Sequence, residues 1–295
     1  MSGDGVFTGA VTVIGGGTMG QGIATATLTA GLPTTVVDVD TAALERTRAT
    51  IARRVERVSA SEAARVLAGL TLSAELESAV SEADAVIEAV PEIVDLKLDI
   101  FRRLAQAASA TALLVSNTST ISISRLAAAC GGSVRVIGMH FFNPVHKMRL
   151  VEIVTAKTSS ESTLRDALDL ASTLGKDPIV VRDVPGFVTS RLGLLLGTEA
   201  MHMVEEGVAP AGDIDKAMRL GYGHPMGPLE LADLVGLDVR LNNLRSMCQR
   251  SDLPQYQAPK ILEQLVESGK LGKKTGSGFY QYDADGRIIA PERRP

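Results

Sequence analysis

The sequence has few of the features that mark secreted, membrane or nucleic-acid-binding proteins. Its only two cysteines, Cys130 and Cys248, are too few for a disulfide framework and fit a reducing cytoplasm. The longest apolar runs, such as Leu192–Leu196, are far shorter than a membrane span, and the start of the chain shows no signal peptide. A formal net charge of −4 gives no electrostatic reason to expect nucleic acid or an anionic membrane as partner. We therefore expect a soluble cytoplasmic protein, and neither cysteine has the spacing of a metal ligand.

Short apolar runs alternate with longer helical patterns through the first two thirds of the chain. The runs are rich in Val and Ile and almost continuously apolar, as strands buried on both faces should be. Helical patterns separate them, among them Thr18–Ala30, Leu96–Ala108 and Thr163–Leu174. This alternation predicts an α/β fold with a Rossmann-like, doubly wound and mostly parallel sheet. The predicted strands are Ala10–Ile14, Thr34–Val37, Ala85–Ala89, Leu113–Ser116, Val134–Gly138, Val151–Thr155 and Ile179–Arg182.

The pattern of the sequence changes after Asp183, where strand-like runs give way to helical patterns. Pro185 and Gly186 interrupt regular structure, and from Phe187 onward the patterns are helical with almost no strand signal. A chain of 295 residues is also long enough for two domains. We predict a Rossmann-like domain over residues 1–185 and an all-helical C-terminal domain over residues 186–295.

A glycine-rich turn joins the first predicted strand to the first predicted helix. It has the pattern G-x-G-x-x-G, in which Gly15 permits the tight turn, Gly17 lets the backbone approach a pyrophosphate and Gly20 allows close packing of helix and strand. The helix start at Thr18 and Met19 offers free N–H groups and a positive dipole end to phosphates. This pattern predicts a dinucleotide-binding site at the turn.

Asp38 strengthens this prediction and narrows it. It follows the second predicted strand, 18 residues past Gly20, where an acidic side chain can bind the adenosine ribose hydroxyls. Its charge would repel the 2′-phosphate of NADP, and no arginine follows directly, so we predict NAD as the cofactor. The structural alternative is a glycine-rich turn with an unrelated aspartate.

Two polar segments follow later strands of the predicted sheet, at the ends where ligands bind in open α/β folds. The first contains Asn117 and Ser119, and the second contains His140 and Asn143. Glu152 lies twelve residues beyond His140 in the next predicted strand. An imidazole can remove a proton from an alcohol near neutral pH, and a carboxylate both orients it and stabilises its charged form. The alternatives are a structural histidine at a strand end and a charge at a strand edge.

These segments together resemble the L-3-hydroxyacyl-CoA dehydrogenase family. The matches occur in the family's order and spacing from about residue 10 to residue 281. The segments HFFNP and SNTS are highly specific, whereas the glycine turn is shared with many dehydrogenases. The matching segments are Gly15–Gly20, Ser116–Ser119, His140–Pro144, Val151–Val154, Pro185–Phe187 and Gly221–Pro228.

The resemblance implies NAD-dependent oxidation or reduction at position 3 of an acyl thioester. It implies that His140 and Glu152 form the catalytic pair and that Ser119 hydrogen-bonds the 3-oxygen of the substrate. It also implies that Glu92 and Lys97 contact the cofactor near the nicotinamide ribose. A solvated glutamate at a helix start and an exposed helical lysine are the alternatives for these two residues.

Three further residues complete the predicted site. Asn117 is predicted to line the cofactor site, and Asn143 to support the segment that carries His140 and to face the substrate. Ser190 stands where the family usually has the asparagine that holds the thioester side of the substrate. A hydroxyl can still donate a hydrogen bond, but it is shorter than an amide and cannot donate and accept from separate atoms. We predict that Ser190 positions the substrate. Because serine stands here in place of the usual asparagine, the identity of the thioester remains open.

Several functions therefore remain open at this point. The first is a 3-hydroxyacyl-CoA dehydrogenase, and the second applies the same chemistry to a carrier-protein-bound acyl group or a free hydroxy acid. A catalytically silent NAD-binding protein is the third, although retention of His140 and Glu152 argues against it. The amphipathic stretches Ile214–Leu220 and Leu229–Val239, together with the resemblance, predict a homodimer.

Overall fold

The computed structural model describes residues 5–58, 60–133, 135–250 and 254–289. The chain divides into two compact units, with the division after Phe187. The predicted domain boundary, after residue 185, lies two residues earlier. Each unit has its own buried apolar core.

The first unit is built on one eight-stranded sheet. Its strand order is β3-β2-β1-β4-β5-β6-β7-β8, and every neighbouring pair is parallel except β6 with β7. The predicted doubly wound, mostly parallel sheet is therefore confirmed. The strands are β1 (Val11–Ile14), β2 (Thr34–Val37), β3 (Leu70–Ser73), β4 (Ala85–Glu88), β5 (Leu113–Ser116), β6 (Val136–Phe141), β7 (Leu150–Thr155) and β8 (Asp177–Arg182).

Helices cover both faces of this sheet because the central strands are apolar on both sides. Val13 and Ile87 point into one core and Ile14 and Val86 into the other, and all four are buried. This alternation follows from the two-residue period of a strand. The helices of the first unit are α1 (Thr18–Thr29), α2 (Thr41–Val58), α3 (Ala63–Leu67), α4 (Leu76–Val80), α5 (Val94–Ala107), α6 (Ile123–Ala129) and α7 (Glu161–Thr173).

Two strands differ from the sequence prediction. Strand β3 was not predicted, because it is a short edge strand in which only Leu70 is buried. Strand β6 begins at Val136 and continues to Phe141, so His140 lies within the strand and not after it. The predicted start of this strand, Val134, lies outside the described residues.

The second unit is helical in its described residues, apart from three isolated bridges after Gly272. Two buried carboxylates hold its turns: Asp215 accepts the N–H groups of Leu229 and Glu230 at 2.8 Å, and Asp233 accepts those of Phe279 and Tyr280. No helix in the described part of the chain is long and apolar enough to cross a membrane. The helices are α8 (Thr189–Glu205), α9 (Ala211–Tyr222), α10 (Pro228–Val235), α11 (Leu237–Arg250) and α12 (Lys260–Glu267).

Candidate active site

The glycine-rich turn connects β1 to α1 and uses its three motif glycines differently. Gly15 has φ +105°, a conformation that residues with a Cβ rarely adopt. A Cβ on Gly20 would lie 1.8 Å from the Gly15 carbonyl oxygen, so only glycine lets the helix start this close to the turn. A Cβ on Gly17 would meet no protein atom within 4 Å, so this stretch of backbone is open to a ligand.

The start of α1 has the features of an anion-binding site. Its first turn contains no acidic residue, and no side chain caps its free N–H groups. Gly17 and Thr18 are exposed there, beside a cleft of about 670 Å³. Met19, Asp38 and Pro91 also line this cleft. Uncapped N–H groups at the end of a helix dipole bind phosphate well, so the residues present fit the pyrophosphate of a dinucleotide.

Asp38 lies immediately after β2 and faces the glycine-rich turn. Its Oδ2 accepts the N–H of Gly16 at 2.8 Å, and its Oδ1 accepts the N–H of Asp40 at 3.1 Å. A carboxylate has about four lone-pair positions, so both oxygens can still accept a ribose hydroxyl. The side chain also lines the cleft, as a ribose contact requires.

His140 and Glu152 are direct neighbours across the antiparallel pair β6 and β7. The His140 Nδ1 lies 2.7 Å from the Glu152 Oε2, and both residues are buried. With the proton on Nδ1, the carboxylate accepts it and the lone pair is on Nε2. The pair therefore has the geometry of an oriented general base.

The other ring nitrogen of His140 faces the serine of the SNTS segment. Its Nε2 lies 3.1 Å from the Ser119 Oγ, and Ser119 is only partly buried. The rings of Phe142 and Phe187 lie 4.6 Å and 6.0 Å from the imidazole, centroid to centroid. An oxygen of a substrate that accepted a bond from Ser119 would thus lie next to Nε2.

Glu92 organises the turn that carries Ser119. Its Oε1 accepts the N–H groups of Ser119 and Thr120, each at 3.0 Å, and the hydroxyls of Thr118 and Thr120. Asn117 fixes the start of the same turn, since its Oδ1 accepts the N–H of Phe141 at 2.9 Å. The turn is therefore connected both to the β4–α5 loop and to the strand of His140.

Lys97 lies beneath this turn and is 1% exposed. Its Nζ is 2.7 Å from the Glu88 Oε1 and 3.1 Å from the Glu92 Oε2. The predicted cofactor contacts of Lys97 and Glu92 remain predictions. Of the two side chains, only that of Glu92, which is 36% exposed, presents surface to a ligand.

Two predicted substrate residues occupy open positions. Asn143 is exposed just after β6, and its side chain makes no hydrogen bond to the described residues. Ser190 is the second residue of α8, in the second unit. Their predicted contacts with the substrate remain predictions.

Sequence reasoning did not single out Glu88, which is 0% exposed at the end of β4. Besides Lys97 it accepts the Val90 N–H at 2.8 Å and the Ser116 hydroxyl at 2.7 Å. A glutamate that ends an apolar strand, with a lysine nine residues later, was the available signal. A buried charge of this kind requires a partner.

Two family models match almost the whole chain. Residues 10–184 match the model described as "3-hydroxyacyl-CoA dehydrogenase, NAD binding domain", and residues 186–282 match "3-hydroxyacyl-CoA dehydrogenase, C-terminal domain". The chain belongs to the 3-hydroxyacyl-CoA dehydrogenase family. The predicted family, fold class and NAD cofactor are thereby confirmed.

Individual relatives agree with this assignment. The chain is 39% identical over 279 residues to a probable 3-hydroxybutyryl-CoA dehydrogenase of Bacillus subtilis, covering 92% of this chain and 97% of the relative. It is 38% identical over 286 residues to the mitochondrial hydroxyacyl-coenzyme A dehydrogenase of Sus scrofa, with 92% and 90% covered. The crystal structure of (S)-3-hydroxybutyryl-CoA dehydrogenase PaaH1 from Ralstonia eutropha superposes with a TM-score of 0.89 at 38% identity, covering 93% and 99%.

Proposed function

We propose that this enzyme interconverts 3-hydroxyacyl-CoA and 3-ketoacyl-CoA with NAD as the hydride carrier. The observation that carries the proposal is the contact of His140 with Glu152 on one side and Ser119 on the other, at 2.7 Å and 3.1 Å. The family membership supports the acyl-CoA substrate, and the names of the relatives support a short chain such as 3-hydroxybutyryl.

The proposed mechanism assigns a separate task to each residue. When bound, NAD supplies the hydride acceptor at its nicotinamide ring. Ser119 donates a hydrogen bond to the 3-oxygen of the substrate, and His140 removes the hydroxyl proton through Nε2. Glu152 keeps the Nδ1 proton in place and stabilises the imidazolium that forms. In the reducing direction, His140 returns the proton to the 3-oxygen.

The substrate class is tested by comparing three forms of one acyl group. NADH formation is measured with 3-hydroxybutyryl-CoA, with the same acyl group on a carrier protein and with free 3-hydroxybutyrate. We expect the coenzyme A thioester to have the highest kcat/KM. A higher value for the carrier-bound or free acid would replace the proposal with that alternative, and absence of turnover on all three would favour a silent NAD-binding protein.

The choice between NAD and NADP depends on Asp38. We expect Asp38→Ala to narrow the preference for NADH over NADPH by about fivefold or more, because one unfavourable charge contact near a surface is worth on the order of 1 kcal/mol. Fluorescence titration with both nucleotides measures the ratio. Equal binding of NADH and NADPH by the unmodified enzyme would show that Asp38 does not have this role.

Ser190 is proposed to position the thioester side of the substrate. Loss of its hydroxyl in Ser190→Ala should raise KM and leave a measurable kcat, the result expected when binding is weakened without loss of the chemical step. Ser190→Asn, which restores the usual family residue, is the informative companion. An increase in turnover of 3-hydroxybutyryl-CoA would mean that Ser190 tunes the enzyme away from this substrate. A Ser190→Ala variant with unchanged KM would contradict the positioning role.

We also propose a homodimer formed through the second unit. Large apolar side chains are exposed on four of its helices, including Leu220, Tyr222 and Leu234 at 76%, 78% and 50%. Exposed apolar surface favours an interaction site, and two-fold dimers are the commonest oligomers. Light scattering at micromolar concentration should give twice the chain mass of 31.0 kDa. A mass of one chain would rule the dimer out.

A cytoplasmic location is the last element of the proposal. Both cysteines are free thiols, which a reducing compartment preserves. Partners beyond the acyl thioester and a second copy, such as nucleic acid or a membrane, have no support in the charge of −4. Fractionation of the source cells with an antibody against the chain would test the location, and recovery outside the cytoplasm would contradict it.

A further inference from the structure

A chain of three charges, two of them buried, connects the sheet to the turn that carries Ser119. Glu88 and Lys97 are 0% and 1% exposed and form an ion pair at 2.7 Å. Lys97 reaches Glu92 at 3.1 Å, and Glu92 accepts the N–H of Ser119 at 3.0 Å. Ser119 in turn contacts His140 at 3.1 Å. Each link is a direct contact, so the chain runs unbroken from β4 to the imidazole.

We propose that Glu88 and Lys97 are positioning residues, which act through Glu92 to hold Ser119 in the place where it meets His140 and the substrate 3-oxygen. This inference rests on the proposed function, because it assigns these charges to the alcohol-binding side of that site. It gives Lys97 a role that requires no contact with the cofactor.

The arrangement is too costly for simple packing. A buried lysine must lose its water, and one carboxylate would be enough to neutralise it. Here Lys97 has two carboxylates, and the second one faces the catalytic turn. Glu88 is fixed independently by Ser116 and by the Val90 backbone, so it cannot follow movements of the lysine. The sheet end of the network is therefore fixed by contacts that do not involve the turn.

Lys97 also keeps Glu92 in the form that the turn needs. Burial raises the pKa of Glu92, but the charge of Lys97 and the hydrogen bonds from Thr118, Lys97 and Thr120 outweigh it, so the pKa lies below its ordinary value. Protonation of Glu92 would place a hydrogen on one carboxyl oxygen and reduce its capacity to accept the donors of the turn and of Lys97. Lys97 is the charged group that contacts Glu92, Glu88 lies behind Lys97, and the titratable His140 is reached through Ser119. The turn itself contributes hydroxyls and backbone N–H groups to Glu92.

The test compares a variant that removes the Lys97 cation with one that also neutralises its buried partner Glu88. Lys97→Met leaves two carboxylates without their cation, whereas the double variant Glu88→Gln with Lys97→Met removes the buried pair together. We expect the double variant to regain thermal stability relative to Lys97→Met but not kcat, which should be about 10-fold to 100-fold below the unmodified enzyme. The Kd for NADH should stay within about twofold. Arg102→Met, which removes an exposed cation from the same helix, is the control.

The pH profile separates positioning from packing. Without Lys97 the pKa of Glu92 should rise, so that kcat declines as pH falls and does so at a higher pH than in the unmodified enzyme. Recovery of both stability and kcat in the double variant, with no new acid limb, would show that the pair is merely structural and overturn the proposal.

Glu92→Gln decides the question if the buried variants do not fold, because its side chain is partly exposed. Lower kcat at saturating NAD supports the proposal, and unchanged kcat overturns it. NADH affinity is no criterion for this variant, because Glu92 is itself a predicted cofactor contact. All assays use 3-hydroxybutyryl-CoA with the unmodified enzyme as reference. If that reference shows no turnover, the proposed function has failed and not the positioning role.

Discussion

His140→Gln should lower kcat by about 10²-fold to 10⁴-fold, the usual contribution of a general base, and leave the Kd for NADH unchanged. Glutamine keeps a polar group near the position of the imidazole but cannot accept the hydroxyl proton at neutral pH. The glycine-rich turn and Asp38 follow β1 and β2, and β4 and β5 separate these strands from β6 in the sheet, so we expect cofactor binding not to depend on His140. Steady-state rates with 3-hydroxybutyryl-CoA and a fluorescence titration with NADH measure the two effects separately.

The chain provides a matched control for this experiment. His202 contacts Glu205 at 3.1 Å, so it forms a second histidine–glutamate pair, but on helix α8 and with 42% of its side chain exposed. His202→Gln should leave kcat unchanged. Turnover of His140→Gln at the level of the unmodified enzyme would overturn the mechanism, whatever the control shows.

Glu152→Gln extends the same prediction to the second member of the pair. The amide can still accept the Nδ1 proton but carries no charge to stabilise the imidazolium. We therefore expect kcat to fall, although less than in His140→Gln, with NADH binding again unchanged. A kcat in Glu152→Gln equal to or higher than that of the unmodified enzyme would show that Glu152 contributes the orientation of the imidazole and not its charge.

The sheet could be predicted largely because its strands are buried on both faces. Runs such as Thr34–Val37 and Leu113–Ser116 contain no charged residue and are almost entirely buried, and their bounds agree with β2 and β5. Strand β3 has no such run, because it lies at the edge and presents Thr71 to solvent. Its place is fixed by pairing with β2, which a local pattern does not reveal.

His140 and Glu152 could be predicted as candidate residues from the sequence, but their geometry could not. Twelve positions separate His140 from Glu152, a spacing that fits many arrangements. The antiparallel register of β6 and β7 alone places them opposite each other. The resemblance to a known family supplied the pairing that the spacing left open.

The network beneath Ser119 shows where sequence reasoning stops. A helix pattern over Leu96–Ala108 places Lys97 near the helix start, where a lysine is usually solvated. Its burial comes from the meeting of β4, α5 and the turn after β5, three segments that only the fold brings together. A glutamate in an apolar strand with a lysine nine residues later was only a weak signal for this pairing, and Glu88 was predicted only as part of the strand Ala85–Ala89.

Gly17 and Gly20, the two motif glycines at the start of α1, should differ in how the same substitution affects stability. In Gly20→Ala the new Cβ would lie 1.8 Å from the Gly15 carbonyl oxygen, so the turn and the helix must separate. The Gly15 carbonyl oxygen belongs to the backbone, and the new Cβ is attached directly to the backbone, so neither atom can rotate away from the other. We expect the free energy of unfolding to fall by about 3 kcal/mol, the upper part of the range for overpacking, and NADH binding to be lost with the geometry of the turn.

Gly17→Ala should leave stability within about 0.5 kcal/mol, because the new methyl meets no protein atom within 4 Å and the backbone, with φ −73°, suits alanine. NADH affinity should nevertheless fall by about tenfold or more, since the methyl occupies the space that the pyrophosphate approaches. Thermal melts and NADH titrations on both variants distinguish the two roles. A Gly17→Ala variant that binds NADH normally would mean that the cofactor does not approach this stretch of backbone. Gly17→Ala therefore tests the NAD site directly, because it changes the space that the cofactor should occupy. Gly20→Ala tests only whether the glycine-rich turn is intact.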